Sequence, residues 1–247
     1  MRILLLLCLT SAATAQPLEL RNGGHTVPVQ LQKFGMRRLI TNDPTDNHRE
    51  AIFNGIPLQK VLAPLPVPRG ADTLAVRCND GWLSLVPLEK VRTHPDALLA
   101  RFVEEKKVSY PLPPPRAPLF LVWPRGAVDS EDWSFSVASL EYVNRKDFLQ
   151  RLGSDSPGRQ LFEKNCLHCH ALLGAGGQVG WDLRDPPLAS YLDRTAFAGL
   201  LADPRRRNPS GHMPAFRGLR PGEVAALYLY LVKQSESVGE VRRKRMP

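Results

Sequence analysis

The chain has 247 residues, 43% of them hydrophobic and 23% charged, with a formal net charge of +9. That length admits one or two domains, and the apolar content excludes a wholly disordered polymer. The 23 prolines concentrate in Pro57–Pro68 and Pro111–Pro118, so long irregular connections are expected in the first half.

Residues 1–15 read as a signal peptide. Arg2 gives a positive start, Ile3 to Leu9 form a short apolar run, and Ala13-Thr14-Ala15 is a small-residue cleavage pattern. The run is too short to span a bilayer, which takes about 20 residues, and no later segment is long and apolar enough to do so. A bulky leucine before Cys8 argues against lipid attachment there. An exported, periplasmic protein without a transmembrane span is expected. Cleavage leaves Cys78, Cys166 and Cys169, an odd number that asks for an explanation.

Residues 17–145 predict an α+β domain. Leu74 to Cys78, the turn Asp80-Gly81 and Trp82 to Val86 read as a hairpin. Asp96 to Glu105, starting after Pro95, predicts a helix. Pro118 to Trp123 is short enough to be a buried strand. Trp133, Phe135 and Val137 alternate with polar residues, and the phase slips after Ala138, as a β-bulge would make it. Residues 144–155 are a connection.

Residues 154–236 predict an all-α domain. Ser156 suits an N-cap with Pro157 at the first helical position. That helix is expected to carry Leu161, Phe162 and two cysteines. A second helix is predicted from Thr195 to just before Pro204. A third starts near Pro221, with Val224, Leu227, Tyr228 and Leu231 on one face. Residues 237–247, with Arg242-Arg243-Lys244-Arg245, read as a solvated basic tail.

Cys166-Leu167-His168-Cys169-His170 is the C-x-x-C-H pattern of covalent haem attachment. Two thiols three positions apart reach two vinyl groups of one porphyrin, and the following histidine presents an imidazole to the iron. A redox dithiol would favour a βαβ setting, and a zinc site would need a further ligand pair. His170 is one expected axial ligand. Met213 lies in Gly211-His212-Met213-Pro214, between helices, and a thioether suits a low-spin electron-transfer iron. His212 is a rival ligand. His168 is expected at the surface.

These residues resemble a class I cytochrome c domain: Gly158 and Phe162 ahead of the motif, Cys166, Cys169 and His170 within it, Met213-Pro214, and a closing helix with Tyr230-Leu231. The resemblance implies haem c, one per chain, with His170 and Met213 as axial ligands. It also implies that the Gly158/Phe162 face packs near Leu227 and Leu231. Gly180-Trp181-Asp182-Leu183 replaces the family's Gly-Pro-Asp-Leu. The Trp181 carbonyl could still hold the proximal histidine. Its indole is expected either on the haem wall or on a propionate.

Residues 17–145 resemble, more loosely, the molybdopterin-binding domain of the sulfite-oxidase superfamily. The likeness rests on Phe53-Asn54-Gly55-Ile56-Pro57-Leu58 with Val61-Leu62, on Asn79-Asp80-Gly81-Trp82, on Ala97-Leu98-Leu99-Ala100, and on Pro118 to Pro124 with Trp133 onward. That family's molybdenum-binding cysteine has no counterpart in residues 17–52, and Pro113-Pro114-Pro115 replaces a glycine-rich approach. Bound molybdopterin is therefore not expected, and Cys78 reads as a small buried residue.

The function expected is single-electron transfer between a periplasmic dehydrogenase and a respiratory acceptor, with no catalytic acid–base pair or nucleophile. Redox partners with acidic docking surfaces would suit the basic chain, steered by Arg205, Arg206 and Arg207. Export argues against nucleic acid. One alternative is a molybdenum-pterin oxidoreductase with an internal haem c acceptor. A second is a haem-based ligand sensor, which needs an open iron position.

Overall fold

The computed structural model describes residues 17–44, 46–126, 132–184 and 186–245. The expected signal peptide lies outside them. The first sheet has the order β2-β1-β10-β5-β6 and comprises β1 (Glu19–Asn22), β2 (His25–Pro28), β5 (Thr73–Cys78), β6 (Leu83–Pro87) and β10 (Val137–Val143). All its pairings are antiparallel except β1 with β10. The second sheet runs β3 (Arg37–Asp43), β4 (Arg49–Pro57), β7 (Leu98–Glu105) and β8 (Val108–Pro111), and β9 (Phe120–Val122) also pairs with β7. Two short helices, α1 (Leu58–Leu62) and α2 (Leu88–Thr93), follow β4 and β6. One apolar core draws on both sheets, with Leu20, Val76, Val86 and Leu140 from the first and Phe53, Ile56, Leu98 and Leu99 from the second.

The expected hairpin is β5–β6, and the expected bulge is the register shift between Val137 and Ser139. The helix expected over Asp96–Glu105 is instead the central strand β7. Leu98, Leu99 and Ala100 are all buried, paired with β4 on one side and β9 on the other. A continuous apolar run suits a strand covered on both faces, and that burial overrides the helix propensity of leucine, alanine and glutamate. Gly55 permits the close approach: a Cβ there would meet the Leu99 carbonyl and lie 2.5 Å from the Ala100 Cα.

α3 (Arg145–Gln150) begins the connection, capped by Asn144, whose side chain accepts from the Asp147 N–H at 3.0 Å. The second half contains α4 (Pro157–Asn165), α5 (Arg194–Ala202) and α6 (Pro221–Arg245). It is not purely helical, because β11 (Ala171–Leu172) and β12 (Ala175–Gly176) form a small ladder. The α6 backbone is helical to Arg245, through most of the stretch read as a tail. α4 crosses α6 at Gly158, where a Cβ would meet the Ala226 carbonyl and lie 2.5 Å from the Tyr230 Cβ. Phe162 packs beside Tyr230, with ring centroids 6.1 Å apart.

Strands β5 and β6 face two ways. Leu74, Val76 and Val86 enter the core between the sheets, whereas Ala75, Leu83 and Leu85 join an apolar cluster with the helices of the second half. Alternation along a strand produces this division. The first sheet is thus packed between the second sheet and the helical domain. No helix among the described residues is long and apolar enough to cross a membrane.

Candidate haem-attachment site

The Ser156 hydroxyl accepts from the Arg159 N–H at 3.2 Å, and Pro157 opens α4. The helix ends at Asn165, so the two cysteines lie just beyond it rather than on it. Cys166 closes the last turn through its N–H to the Phe162 carbonyl, 2.9 Å. The chain then makes one further tight turn. The Cys166 carbonyl accepts from Cys169 N–H at 3.1 Å and from His170 N–H at 2.8 Å. Both thiols and the imidazole therefore hang from one hydrogen-bonded turn.

The loop after the β11–β12 ladder is laced back to that turn. Gly177 N–H donates to Leu167 O at 2.8 Å, Gly180 N–H to Cys169 O at 2.9 Å, and Leu183 N–H to Ala171 O at 2.9 Å. A Cβ at Gly180 would fall on the His170 imidazole, so only glycine lets the loop lie against the ring. The lacing brings the Trp181 carbonyl to 3.0 Å from His170 Nδ1. A carbonyl can only accept, so Nδ1 carries the proton and Nε2 keeps its lone pair. Burial lowers the His170 pKa, with the Trp181 carbonyl opposing it, which also favours the neutral ring. The Trp181 indole itself is 73% exposed.

Cys166 is buried, and Cys169 partly so. Burial pushes the Cys166 thiol up to about 12, with the nearby Cys169 adding to it. Cys169 is raised as well, by burial and then by the Asp80 carboxylate. Met213 is half-buried against the apolar cluster that includes Phe162 and Cys166, whereas His212 is exposed. Its loop is pinned where Phe216 N–H donates to the Leu201 carbonyl at 2.7 Å. Two thiols on one turn, an imidazole with Nε2 available, a thioether and an apolar wall are a donor set that fits a haem.

Sequence reasoning missed that the first domain reaches this turn. His168 is half-buried rather than freely solvated. Its ring stacks on Trp82, with centroids 5.1 Å apart and planes 12° from parallel. Its Nδ1 donates to the Leu83 carbonyl at 2.7 Å, and its own carbonyl accepts from Leu83 N–H at 3.0 Å. Next to it, Gln178 N–H donates to Gly81 O at 2.7 Å. Gly81 is required there, since a Cβ would sit 2.5 Å from the Gln178 carbonyl carbon. The turn Asn79-Asp80-Gly81-Trp82 was visible in the sequence, but nothing local says what it touches.

In the first domain, Cys78 is buried within the core, and burial raises its thiol pKa well above the usual range, followed by the Asp80 charge. Cys78 lies in β5 and packs as a small apolar residue of the core between the sheets. Among the described residues, no cysteine precedes the Phe53–Leu58 stretch, where the loosely resembled family holds its metal. Among the described residues, no group of three His, Cys, Asp or Glu side chains is arranged to hold a metal ion.

Residues 153–231 match the family model described as cytochrome c oxidase, cbb3-type, subunit III. The match supports a cytochrome c domain in this segment, and such a domain implies haem c. No curated protein matches the chain. Among solved structures, the sulfane dehydrogenase SoxCD from Paracoccus pantotrophus is similar at 19% identity and a TM-score of 0.40. The likeness covers 53% of this chain and spans 38% of that one.

Proposed function

We propose that this protein is an exported mono-haem c-type cytochrome that carries single electrons between a periplasmic dehydrogenase and a respiratory acceptor. The observation that carries the reading is the hydrogen bond from His170 Nδ1 to the Trp181 carbonyl, which leaves Nε2 to face a metal beside two thiols on the same turn. When bound, the haem supplies one-electron iron chemistry. Cys166 and Cys169 would hold it through thioether bonds. His170 and Met213 would be the side chains that hold its iron, and the Trp181 carbonyl would fix the His170 ring. The apolar cluster around Phe162, Leu227 and Leu231 excludes water from that side. Arg205, Arg206 and Arg207 are exposed near the Met213 loop, and their charge suits a partner with an acidic docking surface. In this reading residues 1–15 direct export, and the first domain keeps a fold without its molybdopterin.

The test is metal and haem content of protein matured in a periplasm with molybdenum supplied. One covalently bound haem and no molybdenum is the expected result. Stoichiometric molybdenum would make the chain an enzyme, and absence of haem would end the cytochrome reading. Met213→Ala adds the ligand question. The variant should bind carbon monoxide in the reduced state while wild type does not. Binding of carbon monoxide by wild type would favour a ligand sensor.

A further inference from the structure

The first sheet ends at β6, and an edge strand presents N–H and C=O groups that need partners. Leu83 on that edge is only 1% exposed, so water does not supply them. His168 supplies both. Its carbonyl accepts from Leu83 N–H, and its imidazole Nδ1 donates to Leu83 O, the place a neighbouring strand's N–H would take. One residue of the attachment motif thus imitates a paired strand residue, half with backbone and half with side chain.

The stack on Trp82 fixes the same imidazole from its face. The Trp82 indole is itself held, donating from Nε1 to Ser84 Oγ at 2.9 Å, and Ser84 is hydrogen-bonded to Ser134 Oγ at 2.9 Å. Asp80 Oδ1 accepts from the Trp82 N–H at 2.9 Å and so shapes the turn. The other residue between the cysteines, Leu167, is 2% exposed and belongs to the apolar cluster that includes Leu83 and Leu85. Both residues between the two haem-binding cysteines therefore face the first domain. His168 and Leu167 also line, with Leu85, Lys90 and Asp132, a cleft of about 380 Å³ between the domains.

We infer that Trp82, Leu83 and His168 form a latch by which the first domain holds the attachment turn and shields it from water, so that this domain helps to set the haem's reduction potential. His168 and Trp82 are positioning residues: neither is needed to ligate iron or to bond to the porphyrin. The inference rests on the cytochrome reading above. Greater water access stabilises the more highly charged oxidised iron, so loosening the latch should lower the potential.

The experiment compares full-length holoprotein carrying Trp82→Ala, His168→Ala or His168→Gln with wild type. Redox titration gives the potential, and limited trypsin digestion at Arg151 reports how tightly the domains are held. Trp82→Ala and His168→Ala should both lower the potential and speed cleavage at least about tenfold, since the opened state becomes more populated. His168→Gln, which can still donate to Leu83 O, should fall between them and wild type. Unchanged potential in both alanine variants, each carrying a full complement of haem, would overturn the inference. Should His168→Ala fail to mature, Trp82→Ala decides alone, because it leaves the attachment motif intact. Absence of haem from wild type would instead refute the cytochrome reading, and the digestion of Trp82→Ala would still report the latch.

Discussion

Gly158→Ala tests whether the crossing of α4 and α6 is as close as described. A methyl there would meet the Ala226 carbonyl and lie 2.5 Å from the Tyr230 Cβ and 3.0 Å from the Ala226 carbonyl carbon. Carbon atoms in contact prefer about 3.5–4.0 Å, so the helices must part by roughly 1 Å. Overpacking of this kind costs about 1–3 kcal/mol. The alanine regains at most about 1 kcal/mol of helix propensity, and less than that so near the start of α4. Parting the helices also loosens Phe162 against Tyr230, whose hydroxyl donates to the Leu152 carbonyl at 2.8 Å. A net loss of about 2 kcal/mol lowers the melting midpoint of a domain this small by roughly 10 °C. Thermal unfolding of the holoprotein followed by circular dichroism measures it. Gly199→Ala, on a face of α5 with nothing within 4 Å, is the control and should be neutral or slightly stabilising. An unchanged midpoint for Gly158→Ala would refute the argument from close approach.

Two further outcomes follow from electrostatics. Asp80 lies near enough to Cys169 to raise its thiol, so its carboxylate favours oxidised iron; Asp80→Asn should raise the potential by an amount on the order of tens of millivolts, and a fall in the redox titration would contradict this. At the start of α6 the Glu223 carboxylate accepts from the Arg220 N–H at 2.8 Å and from its guanidinium at 2.9 Å, and these bonds lower its pKa to about 2. The folded value lies below the ordinary one, so the stabilisation is present above about pH 4.5 and is lost as the pH falls through about 2. The melting difference between wild type and Glu223→Gln should therefore shrink across that window.

Local chemistry was legible where it acts over a few residues. Ser156-Pro157 announces a helix start because a hydroxyl three positions from a free N–H is a cap wherever the helix lies. The phase slip at Ala138 announces a bulge because strand faces alternate strictly. The attachment motif reads from spacing alone. What failed depends on partners distant in sequence. Asp96–Glu105 carries residues that favour a helix, and only the strands on either side make Leu98, Leu99 and Ala100 a strand. His168 is polar and sits between cysteines, so a surface position was reasonable. Its partner Leu83 is 85 residues away and joins it through backbone groups that no side-chain pattern reveals. Trp181 was legible in part: its carbonyl does lie within hydrogen-bond distance of His170 Nδ1, because a backbone carbonyl is present whatever the side chain.

The arrangement at β6 bears on how the chain can be made and divided. Strand β10 completes the first sheet at Val143, before residue 168 has been synthesised. For that interval the β6 edge at Leu83 has no cover, and a second copy of the same strand is the nearest substitute. A fragment ending at residue 145 would remain in that condition permanently and would tend to self-associate. The segment that carries Cys166 and Cys169 thus also covers that edge against strand-to-strand pairing, and dividing the gene between its two domains would remove the cover.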